Sequence, residues 1–373
     1  MRPIVLGAGP AGCTAAIVLA RGGVRPLLID RQEEFGDALC GGFFRWRTAA
    51  QLRAIGCDPI RMGAWPVTRL VLYTGGRRVE APLPAPGFGL SRHALDSGMR
   101  GAALKAGAEL AIDHAKAVEP SAVHGRKRDW RGDAVFLAAG KHDVRGMTRP
   151  RRTHDPALGL RLRVNGSATL ARMVGDAIEL HLFPGGYAGI VRQEGGSVNI
   201  CLAVRKSLLR AAGGDPHALL ARLADEHSAF GQRMDCAGAA ERIDTVGAVP
   251  YGYIARHTQP GLFRLGDQAA VIPSLAGEGI SIAVASGLAA GRAYLIGGAG
   301  LAPGYQRGFA RRAWRPVRTA SLVWHLAERG WGATALVTLA GLAPPLTRAV
   351  MRLSRIAQPS RVIQPWRSSA VPS

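Results

Sequence analysis

The hydrophobic pattern changes period twice within the first thirty residues. Ile4-Val5-Leu6 is a short apolar run, Ala11 to Ala20 is a small-residue stretch of helical length, and Pro26-Leu27-Leu28-Ile29-Asp30 is a second apolar run. A glycine turn separates the first two and Arg21-Gly22-Gly23 closes the helix, so the pattern predicts a β-α-β unit. Val67 to Pro82, around Gly75-Gly76, predicts a hairpin, and Arg92 to Ala106 a helix. Glu109 to Ala139 reads as short strands ending in the buried run Ala134 to Ala138, with a basic hairpin at His124 to Arg128. Asp155 to Val204 has strand character, with turns at Asn165-Gly166, Gly185-Gly186 and Gly195-Gly196. Asp215 to Phe230 is helical, Gly261 to Leu265 a strand, Ile280 to Tyr294 a helix, and the chain is helical from Leu301. This order predicts an α/β fold of two lobes. A nucleotide-binding domain is assembled from 1–150 and 240–300, a strand-rich substrate lobe is inserted over 151–239 and joined by hairpin 67–82, and 301–373 is a C-terminal helical region.

Gly7-Ala8-Gly9-Pro10-Ala11-Gly12 fits G-x-G-x-x-G between the first strand and helix. Gly7 permits the tight turn, Gly9 lets a pyrophosphate approach the backbone, and Gly12 lets helix and strand pack closely. The helix start at Ala11 supplies amide donors. Asp30, followed by Arg31, ends the second strand where a carboxylate can accept ribose hydroxyls. These residues predict a dinucleotide site and leave FAD and NAD both open.

Composition narrows the function classes. Of 373 residues 47% are hydrophobic and 20% charged, which marks a globular chain. Its five cysteines form no C-x-x-C pair, its ten histidines show no metal-ligand spacing, and no G-x-S-x-G is present. Zinc, disulfide-framework and hydrolase readings therefore lack support, and no metal site is expected. The net charge of +22 suggests an acidic partner, but only five of the 48 basic residues are lysine and no nucleic-acid signature accompanies them. Nucleic acid is not expected as a partner. The chain begins directly in a strand, and the uncharged run Gly330 to Thr347 is broken by Pro344-Pro345, short of the roughly 20 residues of a spanning helix. These features predict a cytoplasmic protein. Arginines recurring among Trp314, Trp324, Trp331 and Trp366 fit either peripheral contact with a membrane surface or helices capping the substrate lobe.

Gly261-Leu262-Phe263-Arg264-Leu265-Gly266-Asp267-Gln268-Ala269-Ala270 resembles the second flavin fingerprint of the para-hydroxybenzoate hydroxylase and geranylgeranyl reductase superfamily. The resemblance implies FAD, bound by a Rossmann-like domain of a two-lobed α/β fold with an inserted mixed β-sheet and C-terminal helices. It further implies that Asp267 bonds the ribityl chain. The segment from Pro273 through Gly277, Gly279 and Ile280 would then lie along the isoalloxazine edge. Ser91-Arg92-His93-Ala94-Leu95-Asp96 resembles the family's S-R-x-x-L-D start, whose arginine reaches the phosphate or ribityl region. Leu137 to Arg145 stands where hydroxylases carry A-D-G-x-x-S. Ala139 replaces the aspartate before Gly140, which leaves NADH or NADPH open as electron donor. Cys40-Gly41-Gly42 resembles the C-x-G stretch beside the flavin, where Cys40 would tune the flavin, donate a proton, or simply pack. Pro184-Gly185-Gly186-Tyr187 resembles a substrate-lobe turn of the family.

The resemblance implies Cys40, Tyr187 and Pro273 as catalytic positions and Phe43, Phe44, Trp46, Phe183 and Tyr187 as substrate contacts. Arg45 and Arg47 would leave room for a carboxylate, whereas the phenylalanines favour an apolar ligand. The expected activity is FAD-dependent monooxygenation of a hydrophobic aromatic or polyketide-type molecule by molecular oxygen, through a flavin C4a-hydroperoxide, as in secondary metabolism. Reduction of prenyl or lipid double bonds is the alternative that Cys40-Gly41-Gly42 and Gly185-Gly186-Tyr187 favour. A non-redox cyclase and a basic binding protein are two further alternatives. The tryptophan-halogenase W-x-W-x-I-P signature is absent.

Overall fold

Five short apolar runs become one parallel sheet: β1 (Ile4–Leu6), β2 (Leu27–Asp30), β6 (Glu109–Ile112), β10 (Val135–Leu137) and β16 (Leu262–Arg264), in the order β16-β10-β1-β2-β6. The computed structural model describes residues 1–150, 153–238 and 242–356. Period-two alternation sends Val5, Leu28, Phe136 and Phe263 to a core shared with helices α1 (Pro10–Arg21) and α8 (Gly279–Gly297). Ile4, Leu6, Ile29, Val135 and Leu137 face the other way, against the small antiparallel sheet of β7 (Ala117–Glu119), β8 (Ala122–His124) and β9 (Asp129–Arg131). Both faces are covered, so the central strands are apolar at every position.

The second lobe is an eight-stranded mixed sheet. Its strands are β3 (Phe43–Phe44), β4 (Trp65–Thr74), β5 (Arg77–Gly89), β11 (Ala157–Val164), β12 (Ala177–Phe183), β13 (Gly186–Arg192), β14 (Val198–Arg205) and β15 (Asp244–Val249). They lie in the order β15-β11-β14-β13-β12-β4-β5-β3. The remaining helices are α2 (Trp46–Ala54), α3 (Arg92–Lys105), α4 (Ala168–Val174), α5 (Lys206–Ala211), α6 (Pro216–Glu226), α7 (Ser228–Ala237), α9 (Ala302–Ala327), α10 (Gly330–Leu342) and α11 (Pro344–Leu353). One face of the sheet packs on α4, α6 and α7. There Glu179 of β12 is buried but receives Arg233 Nε at 2.9 Å and lies 3.1 Å from His181 Nε2. Burial pushes its carboxyl up, yet these hydrogen bonds outweigh burial and hold it below the usual carboxylate range. The opposite face packs Leu182 and Tyr187 against Trp324 and Val337 of the C-terminal helices.

Three sequence expectations change here. The stretch 155–204 contains helix α4, because Ser167 Oγ caps it by accepting the Leu170 N–H at 3.2 Å. Strand β15 pairs with β11, and β3 with β5, so both belong to the mixed sheet and not to the cofactor domain expected for 1–150 and 240–300. The helical run Gly279–Ala327 is long and apolar enough to cross a membrane by length and composition, although no such stretch was expected. In that run 61% of the most apolar window is buried inside the protein, where α8 packs against α1. Trp366 and the rest of 357–373 lie outside the described residues.

Candidate functional site

β1 delivers the chain into the glycine turn. Gly7 has φ +104, and a Cβ there would overlap the Ala138 carbonyl; a Cβ on Gly12 would overlap the carbonyl of Gly7. Glycine at both positions lets β1, β10 and the start of α1 meet. α1 begins after Gly9 with no side chain capping its first amides, and Gly9, Pro10 and Ala11 line a cavity of about 430 Å³. Uncapped amides at the positive end of a helix suit a diphosphate. Asp30 Oδ2 accepts the Ala8 N–H at 2.7 Å and Oδ1 accepts the Gln32 N–H at 2.9 Å. Each oxygen keeps a further lone pair for a ribose hydroxyl.

The other walls come from separate segments. Arg92 at the start of α3 lies against Gly9, where its Nη2 would be 3.3 Å from an added Cβ. Its guanidinium is held by Asp96 through bonds of 2.8 and 2.6 Å. Asp267 follows β16 and lines the cavity with Gly140, Lys141 and Gly266. Buried Arg149 fixes this corner, donating to Asp143 at 2.8 Å, to the Asp267 carbonyl at 3.0 Å and to the Lys141 carbonyl at 2.6 Å. Cys40, Gly41, Gly277, Gly279 and Ile280 close the far end, where α8 starts without a side-chain cap. An added Cβ on Gly41, Gly140 or Gly279 would meet nothing within 4 Å. All three therefore border open space, and together with the two uncapped helix starts they form a cradle that fits FAD.

Beside the cradle the same cavity widens into an aliphatic chamber. Leu70 and Leu72 of β4, Ile178, Leu180 and Leu182 of β12, and Val323, Leu336 and Leu339 of α9 and α10 line it. At the junction Tyr187 donates to Ser274 Oγ at 2.8 Å, and the Tyr251 hydroxyl lies 2.7 Å from the same oxygen. Trp324 meets both rings edge-on, at 5.9 and 5.7 Å between centroids. Burial raises Tyr187 well above the usual phenol value and pushes Tyr251 up to about 12, so both keep their protons at neutral pH. Cys201 also lines the chamber, and burial pushes its thiol up to about 12.

Of the residues nominated from sequence, the structure brings Gly9, Ala11, Cys40, Gly41, Phe43, Arg92, Gly140, Tyr187, Asp267, Gly277, Gly279 and Ile280 to one cavity. Gly7, Gly12 and Asp30 shape and brace the turn behind it. Pro273 is buried next to Ser274, off the lining. Arg31 is exposed and donates to His142 Nε2 at 3.0 Å.

Three expected substrate contacts are corrected. Phe44 points to the opposite face from Phe43 and stacks on Phe88 at 5.9 Å. Phe183 alternates away from Leu182 and packs on His227 at 5.4 Å. Trp46 lies under the Arg355 guanidinium, 4.4 Å from its ring centre. Nor is Arg45 available to a ligand carboxylate: it lines the cavity but faces Glu278 at 3.2 Å, both nearly fully buried. Sequence reasoning missed Glu278, Tyr251 and Ser274. Ser274 had a signal in its position after Pro273, whereas Tyr251 had none.

Residues 2–65 match the family of FAD binding domains. The chain is similar to digeranylgeranylglycerophospholipid reductase 2 of Methanopyrus kandleri, at 28% identity over 77% of this chain and 75% of that protein. It is also similar to menaquinone reductase of Mycolicibacterium smegmatis, at 27% identity over 79% of this chain and 76% of that protein. Among solved structures it shares its fold with PqsL, a probable FAD-dependent monooxygenase from Pseudomonas aeruginosa. That match has a TM-score of 0.68 at 17% identity and covers 91% of this chain and 99% of that one.

Proposed function

Because the chain belongs to the para-hydroxybenzoate hydroxylase and geranylgeranyl reductase superfamily of FAD-dependent oxidoreductases, we propose that it saturates a carbon–carbon double bond in a hydrophobic, isoprenoid-like small molecule. The observation that carries this reading is the aliphatic chamber opening directly onto the cofactor cradle. Leucine, isoleucine and valine walls suit a flexible hydrocarbon chain, and burying an unpaired carboxylate among them would cost several kcal/mol. The two reductase relatives favour the same reading. Hydroxylation of an aromatic ring with molecular oxygen is the second reading, favoured by the rings of Phe43 and Tyr187 on the chamber wall.

Bound and reduced, FAD supplies the hydride equivalent, with NADH or NADPH as electron source. The chain's own part is to bind and orient. The first amides of α1 and the Arg92 guanidinium would hold the diphosphate, Asp30 the ribose, and Asp267 the ribityl chain. Gly41, Gly140 and Gly279 would leave room for the rings, and the uncapped, positive start of α8 lines the same cavity. Cys40 lines the cavity wall and is the group we assign to proton delivery. The neutral phenol of Tyr187 contacts the substrate. FAD-loaded enzyme reduced without oxygen is expected to add two hydrogens to geranylgeraniol. Label from molecular oxygen in an aerobic product, with no anaerobic saturation, would transfer the assignment to the second reading.

We further propose that the chamber fills from an anionic bilayer. Trp331, Ala335, Leu339 and Leu342 are all exposed on α10, at the i, i+4, i+8, i+11 spacing of one helix face. Trp331 and Leu342 are 65% and 80% exposed. Exposed Arg329, Arg348 and Arg352 stand close along the chain, and Arg77 donates to Thr338 Oγ1 of the same helix at 2.7 Å. These charges complement anionic headgroups. Leu339 both lines the chamber and reaches the surface, so the apolar face is continuous with the interior. Trp331→Ser combined with Leu342→Ser is expected to weaken co-sedimentation with phosphatidylglycerol vesicles by about tenfold or more, since each side chain contributes on the order of 1–2 kcal/mol on burial. Equal sedimentation of both proteins would return α10 to a purely structural role.

A further inference from the structure

In a chamber lined mainly by leucine, isoleucine and valine, three hydroxyls from three segments meet at one place. Tyr187 belongs to β13, Tyr251 follows β15, and Ser274 opens the turn between Pro273 and Gly277. All three line the cavity. Tyr187 spends its proton on Ser274 Oγ, at 2.8 Å. The second bond, 2.7 Å between Ser274 and Tyr251, runs in either direction. In both cases three protons serve two bonds, and one O–H, on Tyr251 or on Ser274, is left over. That proton is available to a ligand in the cavity that all three residues line. The raised values of the two phenols mean that the trio stays fully protonated and acts as a donor, not as a base. Each cation on the cavity wall also has a protein partner: Arg45 has Glu278, Arg92 has Asp96, and Lys141 donates to the Leu39 carbonyl at 2.9 Å.

We propose that Tyr187, Ser274 and Tyr251 form a head-group site that donates one hydrogen bond to the carbonyl oxygen of an uncharged lipid whose remainder is hydrocarbon. The proposal rests on the reading of the chamber as a lipid site and adds the polarity of the ligand's head. Trp324 meets both tyrosine rings edge-on and so holds the two phenols in place beside Ser274. Ser274 lies on the segment whose resemblance implies contact with the isoalloxazine edge. The head would therefore sit beside the cofactor, with the tail running along β4 and β12 toward α10.

The test uses oxidised, FAD-loaded enzyme and needs no turnover. It is titrated with geranylacetone, with the hydrocarbon carrying CH₂ in place of the carbonyl, and with a carboxylate of the same length, following the flavin absorbance band. The ketone is expected to bind about five- to tenfold tighter than the hydrocarbon, the range of one net hydrogen bond. The triple variant Tyr187→Phe, Ser274→Ala and Tyr251→Phe removes all three hydroxyls, keeps both rings and their packing on Trp324, and should abolish that preference, whereas Tyr251→Phe alone leaves the Ser274 proton over and should retain it. Ser274→Ala alone, at an exposed turn position, frees both phenol protons and should at least keep the preference, which gives a readout if the triple variant does not fold. A merely structural role would weaken both ligands equally. An unchanged preference in the folded triple variant, its loss in either single variant, or tightest binding by the carboxylate would overturn the proposal, the last by pointing to Lys141. Ketone preference without double-bond saturation would remove the reductase reading alone, and saturation without preference the head-group site alone.

Discussion

Gly41→Leu and Gly279→Leu are expected to give folded, colourless protein. Neither glycine has the positive φ that leucine would resist, and an added Cβ at either would meet no protein atom within 4 Å. The new side chains would instead occupy the space assigned to the flavin rings. Overfilling a packed site costs about 1–3 kcal/mol, so FAD affinity should fall by roughly 10- to 100-fold. The thermal midpoint of the apoprotein should stay within a few degrees of wild type. Gly12→Ala is the contrasting control: its Cβ would overlap the Gly7 carbonyl, so it should lower apoprotein stability as well. Retained yellow colour and unchanged FAD titration in Gly41→Leu and Gly279→Leu would place the cofactor elsewhere.

Arg45→Leu is expected to destabilise the protein by about 3–5 kcal/mol at neutral pH, the range for stranding one member of a buried ion pair. Arg45 does more than neutralise Glu278, since it also donates to the carbonyls of Met351 at 2.9 Å and Ala276 at 3.1 Å. It thereby ties α11 to the segment along the cofactor cradle. Burial raises the Glu278 carboxyl even in the intact pair, against the pull of Arg45. Removing Arg45 raises it further. A carboxyl raised in the folded state binds its proton more tightly there than in the unfolded chain, so stability falls as pH rises from the unfolded value through the folded one. The deficit of Arg45→Leu should accordingly be largest at neutral pH and shrink on acidification toward the ordinary carboxyl range. Adding Glu278→Leu should recover most of the loss at neutral pH, because two apolar residues replace a pair that was costly to bury. Denaturant titrations of the three proteins at several pH values measure this directly. A deficit independent of pH and not relieved by the second substitution would assign Arg45 a backbone-tethering role only.

How much of this site could be read in advance follows from the kind of constraint at each residue. Gly7, Gly9, Gly12 and Asp30 obey rules about a strand, a tight turn and a helix start, and those rules act within a few residues of one another. Gly266 and Asp267 at the end of β16 are equally local. The substrate wall obeys no such rule. Phe43 and Phe44 are adjacent and apolar, yet alternation turns one to the cavity and the other to the core. The same alternation gives the chamber Leu182 and withholds Phe183.

The sequence alone therefore determined the cofactor half: a dinucleotide turn, an acidic strand end, a second flavin-like fingerprint, and the two-lobed α/β order of segments. Backbone geometry and short spacing specify those features, and both are written in consecutive residues. The tertiary structure decided what the cavity can receive. It set the register of β12, closed Arg45 with Glu278, and brought Tyr187 to Ser274 across 87 residues and Tyr251 to the same oxygen across 23. Such contacts depend on which faces of distant strands and helices meet, and burial fixes that only when the whole chain has folded.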